Sequence, residues 1–260
     1  MPRNCKMNVS PDIKKVVFEL LSSCNLNCGY CLYKRKKHFK APLSLAEIYK
    51  LIDNWCEQKI DRLVLTGGEP TLHQYFVEIS KYAISKIARV SVCTNGVILS
   101  SPLEDKIVHL NFSSYTISID SHRADIHDKI RGCNGAFDQT VVFLEKLRCR
   151  NKNISIHITL HSHNLDYIDD TIEFFLKLAN NIVVSTIYYD KHDKALTKHK
   201  AHYIETAEKI LSKYSGHKDL VLVGFGESCS ETHCLDQKNV FMVDQYGKIV
   251  DCYWKDCQQL

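Results

Sequence analysis

Six short apolar runs recur along the chain with room for a helix between each pair, and this alternation restricts the fold more than any other feature. The runs are Val16 to Leu21, Arg62 to Leu65, Arg89 to Cys93, Tyr115 to Ile119, Ile154 to Leu160 and Ile182 to Tyr188. Strand-length runs alternating with helical patterns give parallel β/α units, since a parallel pair needs a long crossover. Leu45, Ile48, Ile52 and Trp55 share one helical face, with Ser44 and Glu47 spaced as a capping box. Ile168, Ile172, Phe175 and Ala179 form a second such face, and Ile204, Ala207, Leu211 and Tyr214 a third. Six strand-helix repeats in 260 residues fall short of a closed eightfold barrel, which takes about 250 residues for itself.

The first run leads directly into Cys24-x3-Cys28-x2-Cys31. Thiolates select zinc or iron-sulfur clusters, and a closed structural zinc site takes four ligands. Three thiolates on a cubane leave one iron free for a small molecule, so Cys24, Cys28 and Cys31 read as ligands of a [4Fe-4S] cluster.

The segment Cys24-Asn-Leu-Asn-Cys28-Gly-Tyr30-Cys31 resembles the cluster loop of the radical S-adenosylmethionine (SAM) superfamily, down to the aromatic residue before the third cysteine. Thr66-Gly67-Gly68-Glu69-Pro70 resembles its Gly-Gly-Glu-Pro motif, which contacts the SAM amino group. Cys93-Thr94-Asn95-Gly96, Ile117-Ser118-Ile119-Asp120 and Ile130-Arg131-Gly132, ahead of Gly135-Ala136-Phe137-Asp138, resemble later stretches of the same superfamily. The likeness spans roughly residues 14 to 190.

What the resemblance implies is an α/β fold, a partial (β/α)6 barrel of TIM type, with every motif at the C-terminal ends of its strands. It puts Tyr30, Gly67, Gly68, Glu69, Pro70, Asn95, Ser118, Asp120, Arg131 and Asn164 around SAM. Glu69 would pair with the SAM ammonium and Ser118 or Asp120 with the ribose hydroxyls. Arg131 would meet the SAM carboxylate or stand as a structural arginine, and Tyr30 would pack near adenine or simply within its loop. The implied chemistry is reductive cleavage of SAM to methionine and a 5′-deoxyadenosyl radical, which abstracts hydrogen from a substrate C–H bond. A flavodoxin- or ferredoxin-type protein would supply the electron.

Near the C-terminus stand Cys229, Cys234, Cys252 and Cys257, and Phe241 to Cys252 reads as a β-hairpin turning at Asp244 to Gly247. Cys234…Gly247-x4-Cys252 resembles the opening of the cluster-binding extensions called SPASM and twitch. Too few cysteines remain for a full SPASM extension, so the resemblance implies a shortened twitch-like one with a second, auxiliary [4Fe-4S] cluster. Cys234, Cys252 and Cys257 would be its ligands, and Cys229 either the fourth ligand or a free thiol that returns hydrogen to a substrate radical. A four-cysteine zinc knuckle is the competing reading. The expected division is residues 1–215 for the barrel and 216–260 for the extension.

Composition suits an enzyme: 45% hydrophobic and 25% charged, with a formal net charge of +4. The short basic runs, mixed with histidine and aspartate, read as solvated faces, so no nucleic-acid partner is expected. Twelve cysteines without an apolar N-terminal signal point to reduced thiols and a cytoplasmic setting. No stretch approaches the roughly 18 to 20 apolar residues of a membrane span. Cys5, Cys56, Cys93, Cys133 and Cys149 show no ligand spacing, although Cys93 and Cys133 fall nearest the catalytic face.

The family's SPASM- and twitch-bearing members oxidise or epimerise sugars and cyclitols, or modify ribosomally made peptides. About a dozen residues precede the first strand, which favours a small polar substrate, or a short peptide brought by a separate recognition partner. The reading outside catalysis is an iron-sulfur electron carrier or redox sensor. Oligomeric state is not legible.

Overall fold

A computed structural model describes residues 14–31, 43–186, 200–223 and 240–250. Its elements in chain order are β1 (Lys15–Leu21), α1 (Leu45–Glu57), β2 (Arg62–Gly67), α2 (Phe76–Lys86), β3 (Arg89–Thr94), α3 (Ser101–Val108), β4 (Ser114–Ser118), α4 (Ala124–Arg131), α5 (Ala136–Arg148), β5 (Ile154–Leu160), α6 (Ile168–Leu176), β6 (Asn181–Thr186), α7 (Lys200–Tyr214), β7 (Leu220–Val223), β8 (Val240–Val243) and β9 (Ile249–Val250).

Among the described residues one sheet takes nine strands in the order β7-β6-β5-β4-β3-β2-β1-β8-β9. Only β8 and β9 pair antiparallel; every other neighbouring pair is parallel. This is the expected partial parallel barrel with two additions. β7 extends it beyond β6, and the C-terminal hairpin, turning where the sequence put it, lies against β1 with Lys15 opposite Val240 and Phe18 opposite Val243.

The period of two along each strand sorts the side chains. Val16, Phe18, Leu20, Leu63, Leu65, Val90, Val92, Tyr115, Ile117, Ile156, Ile158, Ile182 and Val184 are at most 2% exposed and make one apolar layer with the helices. Each such side chain contributes about 1.5–3 kcal/mol. The alternate positions carry Thr66, Ser91, Cys93, Thr116, Ser118, Ser155, His157 and Thr159, all half-buried. Parallel barrels ordinarily fill that inner face with branched apolar residues; here Val17, Val64 and Val183 do so on β1, β2 and β6, while β3, β4 and β5 make a polar stretch.

Ser44 caps α1 as expected, its hydroxyl accepting from Glu47 N and its own N–H donating 2.8 Å to Glu47 Oε2. The face expected for α7 is turned. Thr206, Ile210 and Tyr214 are buried, whereas Ile204 and Leu211 are 45% and 41% exposed. Tyr214 Oη and Lys213 Nζ both reach Asp169 of α6, at 2.5 and 2.8 Å, and these polar anchors set the helix's rotation. Among the described residues no helix is long and apolar enough to cross a membrane.

Candidate active site

All described motifs but that of Ile130-Arg131-Gly132 fall at the C-terminal ends of the strands. The thiol loop follows β1, Gly67 ends β2, Asn95 follows β3, Ser118 ends β4 and Asn164 follows β5, while Arg131 ends α4. The loop's start is clamped to the turn after β2: Gly68 N donates 2.8 Å to Leu21 O, and Glu69 N donates 2.9 Å to Ser23 O. A Cβ on Gly67 would sit 2.2 Å from Leu21 O, and one on Gly68 equally close to Ser23 O, so only glycine permits this approach.

Cys24 is exposed, Cys28 buried and Cys31 half-buried, all as free thiols. Among the described residues no three His, Cys, Asp or Glu side chains are gathered closely enough to cage a metal ion. Three unpaired thiols in one loop with clamped roots nevertheless form a donor set of the right chemistry for an iron-sulfur cluster. Asn95 Nδ2 lies 3.7 Å from Cys24 Sγ and 2.9 Å from Asn25 Oδ1, and Asn25 Nδ2 donates to Val97 O at 2.7 Å. Burial pushes the Cys28 thiol up, while the Arg131 guanidinium, hydrogen-bonded to it, pulls it back. Cys133 joins Tyr30 and Cys31 around the small apolar cluster of Leu26, Cys28, Val97 and Ala136.

Glu69 is fully buried. Its Oε1 accepts from Thr71 N, Thr71 Oγ1 and Thr94 Oγ1 at 3.1, 2.7 and 2.7 Å, and its Oε2 from Asn95 N at 2.8 Å. Burial raises its pKa against the pull of these neutral donors. Asp120, equally buried, carries different company. Tyr30 Oη donates to Oδ2 at 3.0 Å, Thr159 N donates to Oδ1 at 2.9 Å, and Arg131 Nε lies 2.8 Å from Oδ2 as a charge contact without hydrogen-bond alignment. Asn164 ties the same corner together, its Nδ2 donating to Asp120 O and Thr159 O. His127 Nδ1 accepts from Asp120 N, and burial first, then Arg131, pushes its pKa down to about 4.

The structure thus joins Tyr30, Asp120, Arg131 and Asn164 in one corner, and Glu69 with Asn95 in another. Ser118 is half-buried on the polar inner face, opposite His157 of β5. Pro70 opens a short 3-10 turn, Pro70–Leu72. Cys229, Cys234, Cys252 and Cys257 lie outside the described residues. Sequence reasoning missed Thr71, Thr94, Asn25, His127 and Gln245. Asn25 and Thr94 stood inside recognised motifs and Gln245 inside the expected turn, but nothing local marked Thr71 or His127.

A parallel barrel with a thiol loop at the C-terminal face of its first strand is the framework of an iron-sulfur barrel enzyme. Residues 18–175 match the Radical SAM superfamily, and the chain belongs to it. It is 32% identical over 165 residues to the AdoMet-dependent heme synthase of Methanosarcina barkeri, covering 63% of this chain and 47% of that protein. It is 30% identical over 156 residues to the mycofactocin maturase MftC of Mycolicibacterium smegmatis, covering 60% and 40%. The chain therefore spans less than half the length of these curated relatives. Among solved structures it resembles SuiB of Streptococcus suis bound to the precursor peptide SuiA, with a TM-score of 0.70 and 13% identity over 92% of this chain and 59% of that one. It also resembles anSMEcpe with bound AdoMet, with a TM-score of 0.68 and 17% identity over 95% and 75%. At such identities the likeness is one of fold.

Proposed function

We propose that this chain is the radical-generating part of an enzyme that modifies a ribosomally made peptide at a C–H bond. The observation that carries the reading is the polar stretch of the inner face across β3, β4 and β5. Ser91, Thr116, Ser118, Ser155, His157 and Thr159 are half-buried there, and such hydroxyls and the imidazole can hydrogen-bond a peptide backbone. Similarity to a maturase and to a structure holding its precursor peptide supports the same substrate class. The expected sugar or cyclitol substrate finds no support among these relatives. A second reading, chemistry on a tetrapyrrole, is favoured by the identity to a heme synthase.

A [4Fe-4S] cluster on Cys24, Cys28 and Cys31, with SAM bound to it, would supply the hydrogen-abstracting radical. The chain's own residues do the rest. Gly67 and Gly68 let backbone approach the ligand, and the uncompensated charge of Glu69 attracts the SAM ammonium. Ser118 meets the ribose, and Tyr30 with the Asp120–Arg131 pair holds the far wall of the thiol loop. A flavodoxin- or ferredoxin-type protein supplies the electron. Cys234, Cys252 and Cys257, with Cys229 as fourth ligand or free thiol, hold an auxiliary cluster in a twitch-like extension.

The test is 5′-deoxyadenosine release from SAM by the anoxically reconstituted, dithionite-reduced protein, alone and with a peptide or with iron coproporphyrin III. Stimulation by peptide, with loss of hydrogen from it, supports the reading; stimulation by the porphyrin alone replaces it with the second. In the Cys24/Cys28/Cys31 triple alanine variant, cleavage should vanish while iron falls from about eight to about four per chain if both clusters are present.

A further inference from the structure

The C-terminal hairpin reaches the thiol loop through one residue. Its turn is built locally: Asp244 Oδ1 accepts from Tyr246 N and Lys248 N, both at 2.9 Å, and Gly247 donates to Asp244 O with φ +73°. Gly247 packs against Leu43 and Leu51, where a Cβ would come within 3.3 Å of Leu43 Cδ1. The turn is thereby pressed into the barrel at the catalytic end of β1.

Gln245 is 6% exposed within that turn. Its side-chain Oε1 accepts from Ser22 N at 3.0 Å, and its backbone O accepts from Leu43 N at 3.0 Å. Ser22 precedes Cys24 by two positions, and Leu43 is where the described chain resumes ahead of α1. One residue therefore holds both roots of the excursion that carries all three thiols. From the other side, the turn after β2 holds Leu21 O and Ser23 O. Ser22 is gripped between the two, and the Gln245 grip lies beyond the matched family region of residues 18–175.

We infer that Gln245 is a positioning residue for the Cys24/Cys28/Cys31 site, so that the hairpin is a working part of the radical-generating centre. The inference rests on the reading that these cysteines hold the SAM-binding cluster. A loop with fixed roots has fewer arrangements to lose when its thiols close on a cluster. Releasing Ser22 N loosens the side bearing Cys24, the exposed thiol of the three.

The experiment compares wild type with Gln245→Met, which keeps bulk and loses the acceptor, and Gln245→Glu, which keeps an acceptor. In the metal-free protein, Gln245→Met should speed exchange of the Ser22 amide about tenfold and leave Leu43 unchanged, because the Leu43 bond uses backbone. After anoxic reconstitution, a chelator should strip iron from the cluster whose electron paramagnetic resonance shifts on adding SAM about tenfold faster from Gln245→Met than from wild type. Gln245→Glu should match wild type in both. Iron loss from Gln245→Met within about twofold of wild type, or from Gln245→Glu as fast as from Gln245→Met, overturns the role of Gln245 alone. A wild-type protein with no SAM-responsive signal overturns the ligand reading and this inference with it.

Discussion

Two buried carboxylates stand at the same end of the barrel, and they are built oppositely. Asp120 is fully enclosed with the cation of Arg131 beside it, so its charge is spent within the protein. Glu69 is just as enclosed, but each of its four recorded donors is a neutral N–H or hydroxyl. Burying an unpaired charge is costly, and the raised pKa of Glu69 records that cost. The Asp120 corner is a finished structural joint, whereas the Glu69 corner is where, under the proposed function, the SAM ammonium would bring the cation.

Removing the charge from each corner tests the contrast most severely. Asp120→Ala leaves Arg131 buried without its partner and should cost about 3–5 kcal/mol, a fall of roughly 10 °C in Tm. If it costs no more than Glu69→Gln, the ion pair is not what separates the corners.

Acid should act on the corners with opposite signs. His127 has its pKa lowered from 6.5 to about 4, so the stability it contributes is full above 6.5 and is lost as pH falls toward 4. The loss reaches roughly 3 kcal/mol, and His127→Gln should flatten it in urea unfolding of the apo protein. Glu69 has its pKa raised above 4.5, so the folded state keeps that proton longer. Its contribution is greatest below 4.5 and declines as pH rises through the folded value, a decline that Glu69→Gln should abolish.

A smaller effect separates binding from stability. Glu69→Gln should leave Tm within about 1 kcal/mol equivalent of wild type, yet weaken SAM binding to the reconstituted protein about tenfold by calorimetry. Iron content should stay unchanged; its loss would make Glu69 structural. Smallest is Tyr30→Phe, which removes one hydrogen bond to Asp120 and should cost about 1 kcal/mol in apo stability.

The six inner strands were legible because each must present an unbroken apolar row to the helices, a constraint written into consecutive residues such as Ile154 to Leu160. β7 and the pairing of β8 with β1 were not, because a four-residue strand gains its identity from the neighbour it docks against. The face of α7 was misread for a related reason. Ile204, Ala207, Leu211 and Tyr214 fit the period as well as Tyr203, Ala207, Ile210 and Tyr214 do, and packing against the rest of the fold, which buries Ile210 and leaves Ile204 and Leu211 exposed, decides between them. Within the site, the glycines and cysteines announced themselves through spacing. That Asp120 spends its charge on Arg131 while Glu69 does not depends on distances between segments, which no local pattern encodes.

The pairing of β8 with β1 also sets an order of events during synthesis. Gln245 and Ser22 lie 223 positions apart, so a ribosome releases the cysteine loop long before the residue that fastens both its roots. Contacts between such distant partners form late, since the whole intervening chain must be organised first. A nascent chain already folded through β6 therefore displays Cys24, Cys28 and Cys31 on a loop held by the turn after β2 but not yet by Gln245, and iron delivered at that moment meets looser thiols than iron delivered once the hairpin has docked.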